Sequence, residues 1–268
     1  MDKNKAAYKL KGLPPIYCIN LDDKPERWHF MEEQFMFWEI ENYERISAYD
    51  GRDDRDLGEI LKGRYPDNMS SGEVGCVTSH LKAIKHWYET SDSPYGIFAE
   101  DDVSFDTARF WKFDWNEFMS KVPYDWDCLQ IGFESTKFIP FFLHPKLNHS
   151  YFGPVILQRD YIEKILDLHS SGDKWRFLGK IGDSKFNNTA ATVDYFIGHS
   201  GRTYSIPLIT TNDKLTSGEN SVTINRIHHT KSRNAYYHWW AKEHKKFSLD
   251  DFFMYGKEND HKMVISTL

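Results

Sequence analysis

The chain is short of cysteine, long apolar runs and basic charge, and each shortage removes a class of function. Its three cysteines, Cys18, Cys76 and Cys128, lie far apart, each in or beside an apolar stretch. None forms a CxxC pair, so buried reduced thiols are expected rather than disulfides or a zinc site. No apolar run approaches the roughly 20 residues of a membrane-spanning helix. The opening MDKNKAAYKLKGLPP is polar and basic, without the apolar core of a signal peptide. A soluble cytoplasmic protein with no integral membrane segment is expected, touching a membrane at most from its surface. A net charge of −6 argues against nucleic acid as partner, because phosphate-backbone affinity comes from clustered Lys and Arg. Repeats and low-complexity tracts are also missing.

What is present is 268 residues, 16% of them aromatic, enough to bury the core of one large α/β domain. Pro14 and Pro15 introduce the β-forming run IYCINLD, and Pro25 then opens a helix with Arg27 in its first turn and Trp28, Met31 and Phe35 along an apolar face. A strand feeding a helix begins a βαβ unit, whose loops at the strand's carboxyl end bind ligands. Asn20, Asp22 and Arg27 are thus candidates for a nucleotide pocket, or simply turn and cap residues. Glu44 to Ala48 reads as a second strand, and the charged segment through Asn68 as an exposed loop. Ser70 and Glu73 have capping-box spacing ahead of a helix that carries Ser79 and His80.

That helix leads into YGIFAEDDVSFD, where Ile97 to Ala99 read as a buried strand ending in Glu100, Asp101 and Asp102. Three carboxylates at the mouth of a buried strand are costly unless water or a cation neutralises them. Extended alternation puts Glu100 and Asp102 on one face and Asp101 on the other, an acid-x-acid pair suited to Mn2+ or Mg2+. The plain alternative is a solvated acidic turn.

Beyond it, Ala108 to Met119 reads as an amphipathic segment, WDCLQIG as a strand, and Phe133 to Ser150 as a loop able to fold over a site. Tyr151 to Leu157 reads as a strand, Asp160 and Glu163 as the start of a helix, and Thr203 to Leu208 as a further strand. Asp194, set among apolar residues, is either a cap or a working carboxylate whose burial raises its pKa toward base duty. RIHHTKSRNAYYHWWAKEHKK could grip a diphosphate, offer His228 or His229 to a metal, or stack on single-stranded nucleic acid; beyond Ala235 it reads as a helix covering the sheet with its Trp and Tyr face.

The order of IYCINLD with Arg27, RISAYDG at Arg45 to Gly51, GEVGCVTSH at Gly72 to His80, IFAEDDV and TVD at Asp194 resembles glycosyltransferase family 25. That family includes lipooligosaccharide and collagen galactosyltransferases, and the likeness runs from about Pro15 to Leu208. It implies a GT-A type fold, an α/β/α sandwich around a mostly parallel sheet, over residues 1–225, with 226–268 as a basic and aromatic extension packed on it. It also implies a metal-dependent, inverting transfer of galactose or glucose from a UDP-sugar to a glycan, glycolipid or hydroxylysine, as in lipopolysaccharide biosynthesis. By position the resemblance makes Asp102 the direct metal ligand, with Glu100 beside it; His228, beyond the family motifs, is a further metal candidate from its own segment. Asn20, Leu21, Arg27, Asp50, Ser79, His80 and Asp101 fall on the nucleotide side. Asp194 is the catalytic base or a second metal contact, with Glu100 also counted as catalytic. A metal-dependent phosphohydrolase and a non-catalytic sugar-nucleotide-binding relic remain as alternatives.

Overall fold

A computed structural model describes residues 4–67, 69–135, 138–147, 150–151, 153–177, 193–198, 200–212, 222–253 and 262–264. Its centre is a seven-stranded sheet. The strands are β1 (Ile16–Asn20), β2 (Tyr43–Ser47), β3 (Tyr95–Glu100), β4 (Cys128–Gln130), β5 (His144–Pro145), β6 (Val155–Gln158) and β7 (Thr203–Ser205). They lie in the spatial order β2-β1-β3-β6-β4-β7-β5. Five run one way, and β6 and β5 run against them. The sheet is therefore mostly parallel, as expected.

Both faces are covered, because alternate residues of each strand enter different cores. Ile16, Cys18, Ile97, Ala99, Leu129 and Ile156 join one apolar cluster. Tyr17, Ile19, Phe98, Cys128, Val155 and Leu157 join the other. Helices α1 (Pro25–Phe37), α4 (Trp115–Lys121) and α7 (Val222–Glu243) cover the first face. The second is covered by α2 (Asp54–Ile60), α3 (Ser71–Thr90), α5 (Arg159–His169) and α6 (Val193–Phe196). The result is the α/β/α sandwich.

Local chemistry accounts for several boundaries. Pro25 starts α1, where its missing N–H costs nothing. Ser70 and Glu73 form the expected reciprocal capping box of α3. Tyr236, Trp239 and Trp240 of α7 are buried in the first cluster, so the basic and aromatic segment does bring a Trp and Tyr face to the core. This helix begins at Val222.

Other expectations need correction. The charged loop before Asn68 contains α2, because Leu57 and Leu61 anchor on the second core and supply an order the segment's own pattern lacks. The region 108–119 is split between a 3-10 helix at Asp106–Phe110 and α4. Helix α5 starts at Arg159 behind Gln158 and has no side-chain cap, so Asp160 and Glu163 do not open it as a capping pair. The proline-broken region after Phe133 holds short strands, one of which, β5, closes the edge of the sheet.

Candidate active site

The carboxyl ends of β1, β2 and β3 meet at one edge of the sheet, the ligand-binding edge of open α/β folds. Strand β3 ends at Glu100, and Asp101 and Asp102 form a turn before the short strand Val103–Ser104. Strict alternation therefore stops at Glu100. Glu100 faces α3, whereas Asp101 and Asp102 both approach Arg27 of α1. This corrects the expected pairing of Glu100 with Asp102 on one face.

Arg27 is buried on the same stripe of α1 as Met31 and Phe35. Its Nε donates to Asp101 Oδ1 at 2.7 Å, and one Nη donates to the same carboxylate. Asn20 Nδ2 donates to the other oxygen, Asp101 Oδ2, at 2.6 Å. Asn20 Oδ1 in turn accepts from Arg45 Nε at 2.8 Å, and an Arg45 Nη donates to Asp22 Oδ1 at 2.6 Å. The motifs around Asn20, Arg45 and Asp101 are thus one charged network linking β1, β2 and the acidic turn. Among the expected nucleotide-side residues, Asn20, Arg27 and Asp101 engage one another, while Leu21 closes the turn by accepting from Lys24 N at 3.0 Å.

Asp102 is buried close to this knot, with its Oδ2 at 3.6 Å from an Arg27 Nη. Its backbone carbonyl accepts from Asn212 N at 2.6 Å, and Val103–Ser104 pairs with Thr210–Thr211, so the turn is pinned from a distant part of the chain. Burial, then the charge of Glu100, push its pKa up to about 7; Arg27 opposes this, and Asp101 and Glu134 add to it. Glu134, held by Thr211 Oγ1 at 2.7 Å, is a third buried acid near the turn, one the sequence reading missed.

On the α3 side, His80 Nε2 lies 3.4 Å from Glu100 Oε1, and Cys76 Sγ lies 3.6 Å from the same oxygen. Partial burial disfavours ionised Glu100, but the hydrogen bond and charge of His80, together with Arg27, outweigh it and bring the carboxyl down to about 2. Ser79 faces the other way: its Oγ accepts from Tyr49 N at 2.8 Å and donates to Gly75 O at 2.6 Å, binding α3 to the turn after β2. In that turn Asp50 accepts from Arg52 Nε at 2.8 Å, an interaction that lowers its pKa.

Asp194 stands in the first turn of α6, with Oδ1 3.4 Å from Lys146 Nζ. Burial raises its pKa, Lys146 opposes the rise and Glu100 adds to it, which puts Asp194 within electrostatic reach of the acidic turn. Lys146 was not singled out from sequence; a lysine in a proline-broken loop gives no sign that its side chain is buried. The side chain of His228 lies outside the described residues.

Residues 13–165, from before β1 into α5, match the family described as glycosyltransferase family 25, an LPS biosynthesis protein. The chain belongs to glycosyltransferase family 25. It is accordingly a glycosyltransferase, with a sugar donor and a glycan acceptor, of a family associated with lipopolysaccharide biosynthesis. The family 25 match covers the acidic turn, Arg27, Cys76, His80, Glu134 and Lys146, and stops short of Asp194. No curated protein matches the chain. Among solved structures, A197 from STIV is 14% identical with a TM-score of 0.39, covering 74% of this chain and 84% of its own. HddC from Yersinia pseudotuberculosis complexed with GMP-PN is 12% identical with a TM-score of 0.32, covering 74% of this chain and 92% of its own. Likenesses this distant carry nothing about activity. Among the described residues, no helix of this family 25 member is long and apolar enough to cross a membrane.

Proposed function

We propose that this glycosyltransferase moves a hexose, galactose or glucose, from a UDP-sugar to an acceptor hydroxyl, with a divalent metal at the acidic turn. The observation that carries the reading is Asp102: a buried carboxyl crowded by Glu100, Asp101 and Glu134, whose nearby cation, Arg27, is shared with Asp101. A hard cation relieves that crowding, and carboxylate oxygens are the donors Mn2+ and Mg2+ prefer. Asp102 would hold the ion directly and Glu100 would support it. When bound, the ion would neutralise charge on the departing UDP diphosphate.

The chain's own groups do the remaining work. Arg27 and Asn20 hold Asp101, which fixes the backbone of the turn and thereby aims Asp102. Inversion at the sugar needs one general base opposite the leaving group, and Asp194, a carboxyl whose pKa burial raises, would take that role. Lys146, 3.4 Å away, opposes the rise that burial imposes on Asp194. The family's association with LPS biosynthesis favours a saccharide or glycolipid acceptor over hydroxylysine.

Incubation of the purified chain with Mn2+ and a panel of UDP-sugars tests this reading. Slow UDP release from one UDP-hexose, accelerated by acceptor, is expected. Cleavage of simple phosphate esters would instead make the acidic turn hydrolytic, and silence toward every sugar nucleotide would leave only a binding relic.

A further inference from the structure

Cys76 and His80 are one helical turn apart on α3, so their side chains leave the same face. That face meets Glu100 at the end of β3. The thiol, an imidazole nitrogen and a carboxylate oxygen all lie within 4.8 Å of one another. We propose that Cys76, His80 and Glu100 form a binding site for a thiophilic divalent ion of the zinc class, adjacent to the hard-ion position at Asp102 and sharing Glu100 with it.

Three considerations carry it. The first is spacing. Zinc bonds of about 2.3 Å to sulfur and about 2.1 Å to nitrogen and oxygen, at tetrahedral angles, require about 3.6 Å between sulfur and oxygen and about 3.4 Å between nitrogen and oxygen. The observed separations are 3.6 Å for Cys76 Sγ to Glu100 Oε1 and 3.4 Å for His80 Nε2 to the same atom. Two of the three ligand pairs thus already stand at the separations a bound ion requires, and the third lies within 4.8 Å.

The second is ligand chemistry. A thiolate with an imidazole selects zinc, whereas oxygen-only sets favour Mn2+ or Mg2+. Asp102, which has neither sulfur nor nitrogen donor, is the contrasting case. The third is access: His80 is buried, but half of the Glu100 side chain is exposed. Three protein ligands with an open fourth position mark an accessible site rather than a closed structural one. Cysteine spacing along the chain gave no sign of it, because the set uses one cysteine and closes only through the fold.

The site stands without the sugar-transfer reading, and its test needs no turnover. The EDTA-stripped full chain, kept reduced, is titrated with Co2+ as a spectroscopic substitute for Zn2+. One equivalent should produce a thiolate-to-cobalt charge-transfer band that Zn2+ then abolishes. Cys76→Ser should remove the band and weaken zinc binding by more than about tenfold, the least that loss of even an outer partner costs. Asp102→Asn should retain the band. In the wild-type chain, Zn2+ should protect Cys76 from alkylation as read by peptide mass spectrometry, a result that needs no variant to fold. Absence of the band, its survival in Cys76→Ser, its loss in folded Asp102→Asn, or unprotected Cys76 at saturating Zn2+ would each overturn the proposal.

Discussion

Arg27 is the side chain on which the acidic turn most depends, since its guanidinium forks onto Asp101 from within the apolar face of α1. Removing one partner of a buried ion pair leaves the other charge stranded, at about 3–5 kcal/mol. Arg27→Met should lower stability by that order in urea denaturation, and Arg27→Lys should recover only part of it, because an ammonium does not reproduce the fork. Asp194→Asn is expected to lower kcat by about 10²–10⁴-fold, the usual share of a general base, with little change in donor KM. An unchanged kcat in steady-state assays would remove Asp194 from the base role. At this scale the acids were readable because clustered carboxylates at a strand end are chemically conspicuous. Their division of labour was not, because the strand stops at Glu100 and a two-residue turn redirects Asp101 and Asp102 toward Arg27. The spacing of Arg27, Met31 and Phe35 did hold a clue: a charge on an apolar helical stripe needs a buried partner.

At the scale of elements, α3 brings Cys76 and His80 to Glu100, and its seat against the turn after β2 decides where it sits. A Cβ on Gly75 would lie 2.7 Å from Gly51 N and 3.0 Å from Tyr49 O, and one on Gly51 would lie 2.2 Å from Ser71 O. The two glycines let two backbones touch, and Ser79 bonds the same turn. Gly75→Ala should gain up to about 1 kcal/mol of helix propensity but lose about 1–3 kcal/mol to overpacking against backbone that cannot rotate away. A net fall in thermal stability is therefore expected. Ser70→Ala, which removes only the cap, should cost about 1 kcal/mol. Helix α3 was legible through its capping box and apolar period. Helix α2 was not, because Leu57 and Leu61 acquire meaning only when the second core is present.

For the whole molecule, the two apolar clusters on either face of the sheet make stability a shared property, and one buried imidazole ties it to pH. His169, at the end of α5, lies fully buried against Phe196, with Nδ1 3.3 Å from the Arg176 carbonyl. Burial depresses its pKa to about 4, only partly offset by that hydrogen bond. Between pH 6.5 and 4 the unfolded chain takes up a proton that the folded chain refuses, so stability falls with acidification by about 3 kcal/mol from this group. His169→Phe should flatten that part of the profile, and the difference between the two proteins in urea titrations at several pH values isolates His169 from the carboxylates. The β-forming run Ile16 to Ile19 and the helices after β1 and before β3 made the layered α/β class legible. The reversed strands β6 and β5 were not, since no local feature of Val155–Gln158 or His144–Pro145 records which neighbour it will join. The most direct measurement is calorimetric titration of Mn2+ into the purified chain with UDP present, beside Asp102→Asn shown to be folded by circular dichroism. One equivalent of metal taken up by the wild type and none by the variant is the predicted result. Equal uptake by both, or none by the wild type, would contradict a metal-assisted transfer centred on Asp102.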